Sequence, residues 1–217
     1  MSENKLAPLS GLLGIAGVIT GLALDNAPHG NPSDAAVVSW FAEHGVGRWF
    51  ASSAAISLGG IALLVFAAVL GDRAERAGAG RLSTRVLTAA ATGWGVCTVL
   101  GGALWGAPAY LVKLSDVHPT AALLYLGGPA YAVLVAACAF AAALTAAALT
   151  TASWRTGILP RWLTVAGIPA SLLMLTNVLM PMLVITLWFV AVSIALTRRT
   201  PVAAVPAAEA EYVELPL

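Results

Sequence analysis

Side chains able to do acid–base or metal chemistry gather in two polar stretches of an otherwise apolar chain. The first, Asp25–Arg48, opens DNAPHGNPSDAAVVSWFAEHG and carries Asp25, His29, Asp34, Glu43 and His44. The second, Pro108–Thr120, carries Asp116 and His118. Together they hold all three histidines. Histidine with carboxylate is a zinc ligand set by residue type, and histidine alone titrates near neutral pH unperturbed. The spacing builds no site from them. HExxH and HxxxH are absent, and no two histidines share a helix turn. There is no nucleophile elbow and no phosphate-cradling glycine loop. The sequence therefore assigns no catalytic residue, no metal and no cofactor. Polar loop residues, with His44 packed beside Trp40, account for the same facts.

A local echo frames the second stretch. GAPAY spans Gly106–Tyr110 and GGPAY spans Gly127–Tyr131. Each proline disfavours helical geometry in the residue before it, so Pro108 is expected to end one helix and Pro129 to divide another. Each tyrosine can set its ring in an interface and its hydroxyl in water. With Trp40, Trp105 and Tyr125 they would frame an aromatic, partly polar mouth. The candidate ligand-binding set is then Asp25, His29, Trp40, His44, Tyr110, Asp116, His118 and Tyr131. The simpler alternative is two helix breaks with interfacial tyrosines.

Positioning these residues falls to very apolar elements. The chain has 217 residues, 59% hydrophobic and 10% charged, where soluble domains carry about 25% charged residues. So few charges cannot cover a water-exposed surface, and lipid is the solvent that suits the rest. The net charge of +1 and the lack of a basic, aromatic-rich patch argue against nucleic acid. A spanning helix takes about 20 apolar residues. Candidates lie at 6–24, 49–70, 86–107 and 121–149. The first exceeds a signal-peptide core, and LALDNA is a poor cleavage site, so it is expected to be retained. Trp162–Thr197 is an uncharged run of 36 residues. As one helix it would reach about 54 Å, too long for a bilayer. Asn177 and Pro181 supply turn chemistry, giving spans at 162–175 and 182–197.

Charge supports six spans. With the N-terminus inside, Lys5, Arg73, Arg76, Arg81, Arg85, Arg155, Arg161, Arg198 and Arg199 fall inside and only Arg48 and Lys113 outside, a positive-inside pattern. Both termini are then cytoplasmic, and the Pro/Ala-rich tail 200–217 is expected to be disordered. Trp49 and Trp105 at outer ends and Trp154 and Trp162 at inner ends fit aromatic belts. Trp94 and Trp188 fall mid-span and should pack between helices. No Asp, Glu, Lys, Arg or His lies inside a span, which weighs against proton- or ion-coupled transport.

Ser33 is a helix N-cap, Asp34 suits a first turn and Gly45 a stop. Asp34–His44 is therefore predicted as an amphipathic helix with Val37, Trp40, Phe41 and His44 on one face, lying on the outer surface or capping the bundle mouth. Hydroxyls at depth, among them Thr98, Thr145, Ser171 and Ser193, can return to their own helix backbone. Gly17/Gly21 and Gly102/Gly106 form GxxxG pairs, suited to packing within the chain or to homo-oligomers through Gly/Ala-rich faces. Cys97 and Cys138 are expected to be free, buried and at different depths.

Three stretches carry a resemblance: NPSDAAVVSWFAEHG after the first span, LGDRAERAG after the second, and ILPRWLTVAGI entering a hairpin that closes at LTRRT. Their order resembles families of small six-span membrane proteins of unknown function common in actinobacteria. The resemblance implies the topology and brings no activity.

The sequence thus predicts an all-α polytopic transmembrane bundle of six spans with a short extracytoplasmic amphipathic helix. The bundle takes residues 1–199, in a bacterial plasma membrane, with the lipid bilayer as its first partner. Three functional classes follow: a structural, sensory or partner-binding protein; a small facilitator for an apolar or weakly polar solute; or an enzyme with an outward-facing His/Asp site.

Overall fold

The computed structural model describes residues 7–25, 32–115, 117–175 and 179–198, with side chains at the last segment from Thr186 onward. Lys5, His29, Asp116, Asn177, Arg199 and the tail 200–217 lie outside the described residues. Among those described, all regular structure is helical. The order is α1 Leu9–Leu24, α2 Asp34–His44, α3 Gly47–Arg76, α4 Arg81–Leu114, α5 Ala121–Leu124, α6 Gly127–Tyr131, a π-helical segment Ala132–Ala137, α7 Cys138–Thr156, α8 Arg161–Leu175 and α9 Leu179–Arg198. Gly47–Arg76, Arg81–Leu114 and the helical stretch Ala121–Thr156 are long and apolar enough to cross a membrane. Leu9–Leu24, Arg161–Leu175 and Thr186–Arg198 are shorter apolar helices.

The apolar helices close into a ring. α3 packs between α1 and α4, α4 meets α7, α7 meets α8, α8 meets α9, and α9 returns to α1. Large side chains fill the interior: Phe66 and Leu70 of α3, Leu87 of α4, Leu149 of α7, Leu163 of α8 and Phe189 of α9 are buried in one cluster. Trp94 reaches across to Phe189 with ring centroids 4.5 Å apart. Trp188 is buried and donates its indole N–H to Leu163 O at 2.9 Å. The two mid-span tryptophans therefore pack between helices, as expected. The run 162–197 folds as two helices, but α9 begins at Leu179, so Pro181 lies in its first turn, which tolerates proline, rather than in the connection where it was expected.

Small residues set the closest contact. A Cβ on Gly17 would lie 2.8 Å from Ala55 O and 2.8 Å from Gly59 Cα, and one on Gly59 would lie 2.7 Å from Gly14 O. The α1–α3 seam is thus backbone against backbone, a separation only glycine permits. Gly102 and Gly106 receive Ser57 and Ser53 of α3 in the same way. Both GxxxG pairs are occupied by contacts within one chain. Hydroxyls tie these seams: Ser52 Oγ donates to Gly21 O and Ser53 Oγ to Gly102 O, both at 2.7 Å. Thr98, Thr145 and Ser171 return their hydroxyls to Trp94 O, Ala141 O and Ile168 O. Ser193 departs from that expectation; its buried hydroxyl faces Gly11 and has no partner among the described residues.

Several expectations are corrected. α4 does not end at Pro108 but runs through it to Leu114, with Pro108 buried. A proline removes only one N–H from the ladder, and burial of Pro108 and Ala109 holds the helix together there. Pro129 does not divide the next span either. The break is a turn at Tyr125–Leu126, and Pro129 is the third residue of α6. A first helical turn tolerates proline because its N–H has no helical acceptor there. The adjacent carbonyl is satisfied locally, since Gly128 N–H donates to Tyr125 O at 3.0 Å. The cysteines remain free, with Cys138 buried and Cys97 only partly so. They do not sit at different depths: Cys138 Sγ lies 3.6 Å from Thr98 Oγ1, next in sequence to Cys97.

The chain direction puts charge at opposite ends. Arg73, Arg76, Arg81, Arg85, Arg155, Arg161 and Arg198 lie where α3, α7 and α9 end and α4 and α8 begin. Arg48 and Lys113 lie at the other end, which α2 covers.

Candidate functional site

The face chosen from sequence is organised by α2. Ser33 is extended, and its Oγ accepts the Ala36 N–H at 3.3 Å. Gly45 adopts φ +61° and sends its N–H to Phe41 O at 2.9 Å. Cap and stop chemistry therefore fix Asp34–His44 as the sequence predicts. The helix turns Val37 and Phe41 inward, where they are buried with Trp49 of α3 and Ala109 of α4. Of the alternatives, it caps the bundle.

An aromatic cluster results. Phe41 stacks on Trp49 at 5.7 Å and 23°. Trp40 meets Phe41 and Trp49 edge-on at 5.1 and 5.7 Å. Phe50, packed against the cluster, meets Tyr110 edge-on at 4.6 Å. Edge-to-face and offset pairs of this kind add about 0.5–1.5 kcal/mol each beyond burial. Trp49 donates its indole N–H to Trp105 O at 2.8 Å. Trp49 is buried here, so the belt position expected for Trp49 and Trp105 gives way to a packed role beneath α2. The Trp105 indole nitrogen is itself buried and has no acceptor among the described residues.

Two polar ties hold the cap. Asp34 Oδ1 accepts the Ala121 N–H at 2.6 Å, joining the first turn of α2 to the first residue of α5. Arg48 Nε donates to Leu24 O at 2.9 Å, supplying a cation and a donor to the carbonyl end of α1. Both links, together with Trp49 to Trp105, escaped the sequence reading. The partners are 87, 24 and 56 residues apart, and no local pattern signals them.

The candidate residues divide accordingly. Trp40 and His44 come together, stacked at 5.3 Å and 13°, with His44 Nδ1 3.2 Å from Trp40 O. Glu43 approaches His44 at 4.0 Å in an exposed pair. Tyr110 joins through Phe50. Asp25 ends α1, its N–H bonded to Leu22 O. His118 and Tyr131 are exposed, and no hydrogen bond or ring contact among the described residues links either to the others. His29 and Asp116 are outside the described residues. No group of three or more His, Cys, Asp or Glu among the described residues is placed to hold a metal ion. The assembled part is an aromatic cluster with one stacked imidazole at its rim. Comparison with family models, with curated proteins and with solved structures finds no match to this chain.

Proposed function

We propose that the chain is a six-span integral protein of a bacterial plasma membrane that acts as a structural, sensory or partner-binding element, with α2 as its extracytoplasmic cap. The observation that carries this reading is the outward face of the ring. Leu13 of α1, Leu58 of α3, Leu100 of α4, Leu144 of α7, Leu172 of α8 and Leu187 of α9 are each more than half exposed. Exposed apolar surface on every helix of a closed bundle suits lipid and is costly in water. α1 and α8, with 16 and 15 residues, are short for a bilayer core, a mismatch that local thinning and flanking residues accommodate. The side of α2 follows from the arginines, which suit the cytoplasmic face.

The filled interior favours a scaffold over a conduit, because Phe66, Trp94, Leu163 and Phe189 occupy the centre of the ring. Two measurements test the reading. Membrane-impermeant maleimide on Glu43→Cys should label intact spheroplasts, and on Arg198→Cys only permeabilised ones. Proteoliposomes should pass no solute of a broad apolar and weakly polar panel above protein-free controls. Reversed labelling overturns the orientation, and saturable flux establishes a facilitator instead.

A further inference from the structure

The hairpin between α7 and α8 has a local geometry that the topology alone does not use. Its sequence is WRTGILPRW, with Trp154 and Arg155 before the turn and Arg161 and Trp162 after it. The turn Gly157–Pro160 is pinned from inside. Gly157 takes φ +71°, a left-handed C-cap, and Ile158 and Leu159 are 7% and 2% exposed in the core. Anchoring the apolar pair inward turns the flanking Trp-Arg pairs outward. Trp154 and Trp162 are 66% and 64% exposed, and both arginines are exposed. Neither Arg155 nor Arg161 has an acid partner or a side-chain hydrogen bond among the described residues, whereas Arg76 pairs with Asp72 at 2.9 Å. Two apolar stripes run away from this bracket. Leu144 and Phe140 are exposed along α7, and Val165 and Leu172 along α8.

We propose that this hairpin binds one anionic glycerophospholipid. The phosphate sits between Arg155 and Arg161, Trp154 and Trp162 lie at the headgroup level, and the acyl chains follow the α7 and α8 stripes. Charge complementarity selects the occupant. Unpaired guanidinium groups match a phosphodiester bidentately, tryptophan prefers the interface, and only a lipid couples that headgroup to two chains. The inference rests on the membrane reading above.

The test uses the full chain in phosphatidylcholine vesicles containing either phosphatidylglycerol or phosphatidylcholine with brominated acyl chains, read by tryptophan quenching. Wild type should be quenched preferentially by the brominated anionic lipid. A basic residue near the surface contributes a factor of about five in affinity, so R155Q/R161Q should lose about thirtyfold of that preference. R81Q/R85Q, an equal change of charge on the neighbouring hairpin, should keep it. R155K/R161K keeps both charges but loses the bidentate fork, so it should keep more of the preference than R155Q/R161Q and less than wild type, which separates lost charge from a disturbed hairpin. Equal loss in R155Q/R161Q and R81Q/R85Q overturns the site in favour of diffuse attraction. Equal quenching by both lipids overturns it outright. Relief of quenching by soluble glycerol phosphate shows that the headgroup alone is bound and overturns the lipid as occupant. A chain that fails to float with vesicles overturns the membrane reading as well; one that floats without preference overturns the lipid site alone.

Discussion

Replacing Gly17 by alanine adds a single methyl group at a seam where backbone meets backbone. That carbon would sit 2.8 Å from Ala55 O and from Gly59 Cα, about 0.6 Å inside ordinary van der Waals contact. Neither opposing atom belongs to a side chain that can rotate away, so α1 and α3 must separate. Overpacking costs about 1–3 kcal/mol, and a backbone wall belongs near the upper figure. Alanine recovers about 1 kcal/mol of helix propensity, leaving a net loss of about 2 kcal/mol, roughly thirtyfold in the folded-to-unfolded ratio. Gly93→Ala is the control, because a Cβ there meets nothing within 4 Å. It should be neutral or stabilising by up to about 1 kcal/mol. Reversible unfolding in mixed micelles, or steric trapping in bicelles, reads both. If Gly17→Ala matches wild type within about 0.5 kcal/mol, a typical effect for an uninvolved site, the seam is not as close as described. If stability holds while a dimer is lost, the GxxxG pair serves association between chains.

Other substitutions probe the cap and the interior. Asp34→Asn should weaken the α2–α5 tie by about 1 kcal/mol, as befits an exposed charge-assisted hydrogen bond, and raise hydrogen exchange at the Ala121 amide about fivefold; unchanged exchange there counts against the tie. Trp188→Phe removes the bond to Leu163 O and leaves a small void, so it should cost about 2 kcal/mol, measured by the same unfolding. His44→Ala should change stability by less than about 1 kcal/mol and leave α2 docked, judged by the near-ultraviolet signal of Trp40 and Trp49. A large loss would give His44 a role beyond stacking. Cys97 and Cys138 should resist impermeant maleimide in the folded protein and react in dodecyl sulfate; labelling of the folded chain contradicts their placement.

What the sequence made legible is what local chemistry decides. A hydroxyl cap, an acidic first turn and a glycine stop fix α2 within eleven residues, since each acts on its own backbone. The division of 162–197 followed chiefly from its length. Proline misled at Pro108, Pro129 and Pro181 because its cost depends on position in the first helical turn, on whether the affected carbonyl finds another donor, as Tyr125 O does in Gly128 N–H, and on what the helix beyond it buries, as at Ala109. Trp49 read as a belt residue because a sequence position at a helix end does not reveal that another helix will lie over it. The Asp34–Ala121 tie joins two helix starts that only the closed ring brings near each other. Those long-range pairings are what the candidate site consists of, which is why its residue types were visible and its architecture was not.

The π-helical segment Ala132–Ala137 has a consequence for how this chain tolerates change in length. A wide turn holds one residue more than an α-turn would, and each residue rotates an α-helix by about 100°. The helix on the far side of the segment, with Tyr131, is therefore turned by about that angle from where an unbroken helix would aim it, while α7 keeps its alanine face against α8. Deleting one residue within 132–137 would restore regular geometry without touching the packed half, and would swing Tyr131 around the helix axis. The segment works as a phase shifter between the two halves of Ala121–Thr156, setting the angle at which each half meets α4.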